Sequence, residues 1–286
     1  MAVAIGYALK SPPLVLFSMT VVGAAANGLG GAGGPLAVLI IAIIAAECGK
    51  AVSKETRIDI LVTPFVTVFA GVVLSLLIAP PIGKAAASAG QLIMFATELQ
   101  PFAMGILVSV IVGICLTLPI SSAAICAALG LTGLAGGAAV AGCCAQMVGF
   151  AVISYKENGV GGLVSQGIGT SMLQMGNIVR NPRVWIAPIV TSAITGPLAT
   201  CVFGLQMNGP AVSSGMGTCG LVGQLGVYAG WISDVAAGNK EAITAFDWTA
   251  LIMISFVLPA VITPVIHAFV RKAGWVKDGD LTLIRN

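Results

Sequence analysis

Residues 208–224 read Asn208-Gly-Pro-Ala-Val-Ser-Ser-Gly-Met-Gly-Thr-Cys-Gly-Leu-Val-Gly-Gln224, a glycine- and hydroxyl-rich stretch in an otherwise apolar chain. Glycine costs about 1 kcal/mol relative to alanine inside a helix. Non-helical backbone at membrane depth is tolerated only where it is buried in protein or lines a cavity. The stretch therefore predicts an interrupted segment enclosed by protein.

A second stretch carries the same pattern of glycine, threonine and small residues. Ser165-Gln-Gly-Ile-Gly-Thr-Ser-Met-Leu173 aligns without gaps with Ser213-Ser-Gly-Met-Gly-Thr-Cys-Gly-Leu221. Internal repeats with interrupted helices at corresponding positions are typical of transporter binding sites. We therefore predict that the two stretches work as a pair.

The composition indicates an all-α, polytopic membrane protein. The 286 residues are 58% hydrophobic and 8% charged, with a mean hydropathy of +1.05, whereas soluble domains carry about 25% charged residues. At about 20 residues per span, the length suits a single membrane domain, 1–286, with about seven to nine spanning or re-entrant segments. The net charge of +3 is small and scattered and does not indicate nucleic-acid binding.

The apolar segments predict the order of the spans. Short segments at 12–28 and 35–48 flank Asn27-Gly-Leu-Gly-Gly-Ala-Gly-Gly-Pro35, as a broken helix, a tight hairpin or two ordinary spans. A longer span from Ile58 is predicted to end at Pro80-Pro81, and another covers 102–118. The alanine- and glycine-rich stretch 123–154 predicts a buried hairpin or span, since small residues let helix backbones approach closely.

Basic residues give the last spans a direction. Arg180 and Arg183 precede the span 184–205, and Arg271 and Lys272 follow the span 248–270. Short cytoplasmic loops are enriched in lysine and arginine. If both clusters are cytoplasmic, an even number of crossings separates them, so residues 208–232 form a re-entrant loop.

The candidate solute-binding residues are mostly uncharged hydrogen-bonding groups and the glycines beside them. Facing each other, two such loops would suit an uncharged polyhydroxylated ligand. The alternative is that these groups cap helix ends and satisfy one another. Glu98 joins the set because an ionisable side chain in an apolar segment is a candidate for function. The full set is Ser165, Gly167, Gly169, Thr170, Ser171, Gln174, Asn208, Ser213, Gly215, Gly217, Thr218, Gln224 and Glu98.

No motif in the sequence indicates catalysis, a cofactor or a metal site. The seven cysteines lack metal-ligand spacing and sit in apolar or glycine-rich surroundings, which is typical of small packing residues. We predict no catalytic residue, no cofactor and no metal in this chain.

Four motifs together resemble a known family. They are Ile58-Asp-Ile-Leu-Val-Thr-Pro-Phe-Val-Thr67, Gly167-Ile-Gly-Thr-Ser-Met-Leu-Gln174, Asn181-Pro-Arg-Val-Trp-Ile-Ala-Pro188 with Ile194-Thr-Gly-Pro197, and Gly215-Met-Gly-Thr-Cys-Gly-Leu-Val-Gly-Gln224. From about Asn27 onward the chain is similar to the enzyme IIC-like family of the bacterial phosphotransferase system that includes the perfringolysin O regulator. Family members carry more sequence before that point, so we expect a missing N-terminal helix or a short variant.

The resemblance implies a multi-pass sugar permease of the bacterial inner membrane. It implies separate IIA and IIB phosphocarrier partners, since the phosphorylated residues of the system lie on those domains, and it favours a homodimer in the lipid bilayer. Two other functions stay open: a membrane-embedded regulator or sensor that retains the permease fold, and an ion-coupled secondary transporter that uses Glu98 or Glu47.

Overall fold

The computed structural model describes residues 1–31, 34–118 and 121–283. Five of its helical stretches are long and apolar enough to cross a membrane: Pro13–Gly30, Asp59–Ala85, Gly133–Ile153, Pro182–Val202 and Ala245–Lys272. Pro101–Thr117 is a shorter apolar helix. The prediction of an all-α polytopic membrane protein is confirmed.

The α-helices follow one another with short connections. Their bounds are α1 Ala2–Ala8, α2 Pro13–Gly30, α3 Gly34–Val52, α4 Asp59–Leu99, α5 Pro101–Thr117, α6 Ser122–Leu129, α7 Gly133–Ile153, α8 Tyr155–Val164, α9 Met175–Arg180, α10 Ile186–Pro197, α11 Ala211–Ser214, α12 Val222–Ala236, α13 Ala245–Ile252 and α14 Leu258–Lys272. Between these helices lie the π-helical turns Ser165–Gly169, Leu198–Val202 and Met253–Val257 and the 3₁₀ turns Ser171–Gln174, Pro182–Trp185 and Cys219–Leu221.

The chain forms two compact units, one of residues Met1–Gln91 with Ala127–Gly130 and the other of Leu92–Cys126 with Leu131–Asn286. The first unit is built from α1 to α3 and most of α4. Val15, Met19 and Val22 of α2 are fully buried together with Ile41 of α3. A Cβ at Gly23 would lie 2.7 Å from the Cβ of Ala2, so this glycine lets α1 and α2 pack closely.

The prediction that Pro80-Pro81 ends the third span is wrong. Helix α4 continues through both prolines to Leu99, with Pro64 also inside it. Proline removes one backbone donor and crowds the preceding turn, but membrane helices tolerate it where neighbouring groups compensate. Residues 82–99 therefore belong to the same helix and form the C-terminal part of α4.

The second unit is organised around α7. Within the span Gly133–Ile153, 89% of an apolar 18-residue stretch is buried, whereas the corresponding share for the span Asp59–Ala85 is 22%. Helices α5, α10 and α14 pack against α7. A Cβ at Gly113 of α5 would lie 2.8 Å from the carbonyl oxygen of Gly142, and one at Gly149 would lie 2.8 Å from Thr263 Oγ1 of α14. The glycine-rich sequence therefore makes α7 the buried helix that its neighbours contact at backbone distance.

Candidate functional site

The first polar segment, residues 155–181, follows directly after α7 and returns to the place where it starts. Near its beginning, the Glu157 carboxylate accepts hydrogen bonds from the backbone N–H groups of Gly279 and Leu281, at 3.1 and 3.0 Å. At its end, Asn181 Nδ2 donates to Asp280 Oδ2 at 2.9 Å. Both ends of the segment therefore lie against residues 275–283, beside the C-terminal end of α7.

Within this segment the repeated motif is not α-helical. Residues Ser165–Gly169 form a π-helical turn, and Thr170 is extended, with a φ of −161°. Thr170 Oγ1 accepts a hydrogen bond from the backbone N–H of Met172 at 3.2 Å and so caps the following 3₁₀ turn. This capping is the local reason for a threonine at the break.

The second polar segment, residues 208–236, begins at the opposite end of α7. The backbone groups of Met207 and Gly133, the first residue of α7, exchange two hydrogen bonds of 3.0 Å. The segment then turns back, because Asn208 Nδ2 donates to Asp234 Oδ2 at 2.7 Å and joins its beginning to the end of α12. The two polar segments thus approach along α7 from opposite ends.

The two segments meet at Thr218. Its hydroxyl is fully buried and donates a hydrogen bond of 2.5 Å to the carbonyl oxygen of Gly167, and it also contacts Met147 Sδ of α7 at 3.6 Å. Gly217 has a φ of +51°, and a Cβ there would lie 2.6 Å from the Cβ of Cys143. Glycine is needed at 217 for both reasons. The aligned threonines have different contacts, since Thr170 caps a turn and Thr218 joins the segments.

A comparison with models of known protein families gives a match over nearly all of the chain. The model of the family described as "Phosphotransferase system, EIIC" matches residues 1–283. The chain belongs to the phosphotransferase system EIIC family. The match begins at residue 1 and so also includes the residues before Asn27. The resemblance carried by the four motifs covered the chain only from about Asn27 onward. Searches of curated proteins and of solved structures gave no match. The protein is thus a permease component of the phosphotransferase system.

A buried polar network of the EIIC chain extends from Ser171 into the core of the second unit. Ser171 Oγ lies 2.8 Å from Thr117 Oγ1, and Thr117 in turn contacts Gln146 Oε1 at 3.3 Å. The same amide oxygen accepts from Trp185 Nε1 at 2.8 Å, while Gln146 Nε2 donates to Ser192 Oγ at 3.3 Å. Gln146 is therefore the centre of a network that links α5, α7 and α10 to the first polar segment.

The candidate residues identified from the sequence did not include Gln146, Thr117, Trp185 or Ser192. The available signal was Gln146 itself, the one amide in the alanine- and glycine-rich sequence of α7. A buried amide needs partners, because an unsatisfied one costs free energy.

Gln174 belongs to a second set of buried amides. Gln174 Nε2 donates to Gln166 Oε1 at 2.9 Å and to the carbonyl oxygen of Leu281 at 3.1 Å, and Asn177 Nδ2 donates to Gln174 Oε1 at 2.8 Å. These side chains hold residues 275–283 against the first polar segment. For Gln174 the contacts match the alternative that polar groups of the segment satisfy one another.

The remaining candidates are divided between buried and exposed positions. The Gly215 carbonyl accepts from Ser122 Oγ at 2.6 Å, and Gln224 Nε2 donates to Cys144 Sγ at 3.3 Å, while Gln224 Oε1 is buried without a hydrogen-bond partner. Ser213 is buried, and Ser165 is half-buried with its hydroxyl bonded to Gly162. Gly169 is exposed, and Glu98 is exposed near the C-terminal end of α4, outside both polar segments.

Proposed function

We propose that this EIIC protein moves a small polar, sugar-like solute across the bacterial cell membrane, past the point where the two polar segments meet. The hydrogen bond from Thr218 to the Gly167 carbonyl carries the proposal. It joins two interrupted segments that come from opposite ends of the most buried helix, and interrupted helices that meet inside a membrane domain are typical of transporter sites.

In this proposal both segments are re-entrant, and their contact is the closed barrier. Separation of the segments frees the Thr218 hydroxyl and the Gly167 carbonyl, which lie beside Thr170 and Ser171 of the first segment. The Thr218 hydroxyl and the Gly167 carbonyl then exchange their bond to each other for bonds to solute hydroxyls. Neutral donors and acceptors of this kind bind an uncharged polyhydroxylated molecule without burying a charge.

Phosphorylation of the solute is assigned to separate IIA and IIB partners, and we propose that the permease functions as a homodimer. Uptake into proteoliposomes distinguishes this function from the other two. A permease of the phosphotransferase system takes up sugar in dependence on phosphorylated IIA and IIB. Uptake that follows a proton or sodium gradient alone would instead favour ion coupling, in which Glu98 or Glu47 is the candidate group. Absence of flux together with signalling to a partner would favour a regulator.

The site itself is tested by binding to purified protein. Thr218→Val and Thr170→Val keep the side-chain shape and remove the hydroxyl, so each is expected to weaken sugar binding at least fivefold. Thr20→Val is the matched control, because Thr20 is an exposed threonine that bonds only within its own helix, to the Phe17 carbonyl. Unchanged affinity in both Thr170 and Thr218 variants would contradict the proposed position of the site.

A further inference from the structure

Residues 275–283, here called the strap, follow α14 and lie across the first polar segment. The whole strap is outside helices and strands, so its backbone polar groups need other partners. The Glu157 carboxylate accepts a hydrogen bond from the backbone N–H of Leu281 at 3.0 Å. The Asn158 amide makes two, accepting from the N–H of Leu283 and donating to the carbonyl oxygen of Leu281, each at 2.8 Å. Side chains at the start of the polar segment therefore replace the partners that a helix or strand would give the strap.

Amides further along the polar segment bind the strap in the same way. Gln174 Nε2 donates to the carbonyl oxygen of Leu281, and Asn177 Nδ2 donates to that of Thr282, both at 3.1 Å. These contacts are made to the backbone of the strap. Water can replace such partners when the strap lifts, so its release leaves no buried charge unpaired.

Two apolar side chains anchor the strap to the core. Leu281 and Val276 are only 1% and 3% exposed, and they belong to a cluster with Phe150 and Ile153 of α7 and Val270 of α14. Burial of apolar side chains is the main favourable term in such packing. The anchors therefore favour the bound position of the strap.

The strap is connected to the Thr218 contact through two buried amides. Gln174, which binds the Leu281 carbonyl, also donates to Gln166 Oε1 at 2.9 Å, and both glutamines are fully buried. Gln166 directly precedes Gly167, the residue whose carbonyl oxygen accepts from Thr218. The strap thus holds the repeated motif on both sides of its break.

The strap also ties the two ends of the first polar segment to α14. Glu157 binds it at the beginning of the segment, and at the end Asn181 Nδ2 donates to the carbonyl oxygen of Trp275 at 3.1 Å. Asp278 of the strap pairs with Arg271 of α14. Because the strap is fixed to α14, the polar segment cannot move away from α7 until the strap lets go.

We infer that residues 275–283 are an autoinhibitory strap that keeps the first polar segment closed against α7, an inference that rests on the proposed permease function. Transport requires the two polar segments to separate, and the strap opposes that step. Its release is a local opening, which surface segments without regular secondary structure undergo more readily than the core. Release of the strap therefore speeds uptake.

Labelling of a buried cysteine measures how often the first polar segment lifts from α7. Ala151 of α7 is buried, and a Cβ at Gly167 would lie 3.4 Å from its Cβ. In the full chain with the seven native cysteines replaced by alanine, Ala151→Cys places a thiol under the segment. Ala141→Cys, buried elsewhere in α7, reports general unfolding. The rate of reaction with a water-soluble maleimide is measured for each thiol in lipid nanodiscs.

Three strap variants are then compared in both backgrounds. Leu281→Ala removes the larger anchor and should speed labelling at position 151 at least fivefold. Glu157→Ala removes hydrogen bonds without touching the apolar anchors, should act in the same direction, and decides the question if Leu281→Ala does not fold. Lys277→Ala, at an exposed position of the strap, is the matched control and should change the rate less than twofold. Labelling at position 141 should stay within twofold in all three.

Unchanged labelling at position 151 in both Leu281→Ala and Glu157→Ala would overturn the inference. An equal rise at positions 141 and 151 would also overturn it, because the strap would then support the whole fold and not one segment. Uptake into proteoliposomes with phosphorylated IIA and IIB separates the two proposals. If the wild type transports and the released variants are no faster, autoinhibition is overturned while the permease function stands. If the wild type takes up no sugar, the proposed function fails, and faster labelling at position 151 alone would still support the strap.

Discussion

Gly217→Ala is the substitution that most directly tests how the second polar segment is packed. The new Cβ would lie 2.6 Å from the Cβ of Cys143 and 2.8 Å from its carbonyl carbon, so α7 or the segment has to move. Overpacking of this kind costs about 1–3 kcal/mol. The φ of +51° adds about 1–2 kcal/mol for a residue with a side chain. We therefore expect the free energy of unfolding to fall by about 2–5 kcal/mol.

Denaturant unfolding in detergent, followed by tryptophan fluorescence, measures this difference. Gly169→Ala is the matched control at the aligned position of the first segment. Gly169 is exposed, and beyond its own turn and chain neighbours a Cβ there meets no heavy atom of the described structure within 4 Å. Its substitution should change the stability by about 0.5 kcal/mol or less, as is usual at the surface. Equal effects of the two substitutions would refute the assignment of different packing to the aligned glycines.

Three further predictions concern polar contacts made by single side chains. Gln146→Leu should lower the free energy of unfolding by about 2–4 kcal/mol, because the N–H of Trp185 and a hydroxyl lose their partner; Gln206→Leu, at an exposed position, should have little effect in the same unfolding assay. Ser122→Ala should cost about 1–3 kcal/mol through the Gly215 carbonyl that it leaves unpaired, and thermal unfolding beside the exposed control Ser88→Ala measures it. Glu157→Ala should release residues 275–283, which limited proteolysis would detect as faster cleavage there; an unchanged cleavage rate would contradict the role of its three hydrogen bonds to that segment.

The sequence predicted the main spans and both polar segments because these are local properties. Apolar stretches predict helices, and the repeated glycine–threonine pattern predicts where helices are interrupted. The roles of the aligned residues could not be predicted in this way. Thr170 and Thr218 each follow a Gly-x-Gly motif, but of the two only Thr218 has a described hydrogen bond to the other segment. That difference depends on contacts made about 50 residues apart in the chain.

Two other features depended on tertiary structure in the same way. Gln146 is the centre of a network because α5, the 3₁₀ turn Pro182–Trp185 and α10 bring Thr117, Trp185 and Ser192 to it. No spacing in the sequence predicts that these side chains meet. The proline pair at 80–81 follows the usual pattern of a helix end, but α4 continues through it. At the proline pair, the propensity of a short motif did not decide where the helix ends.

The central claim is that the two polar segments meet at Thr218 and Gly167 and separate during transport. Paired substitutions Gly167→Cys and Thr218→Cys, with the seven native cysteines replaced by alanine, allow the contact to be locked by a disulfide bond. Sugar uptake into proteoliposomes, measured before and after oxidation, then tests the claim directly. The account predicts that the pair cross-links, that oxidation abolishes uptake and that reduction restores it, while the two single-cysteine variants do not respond. Full uptake by the cross-linked protein would contradict the account.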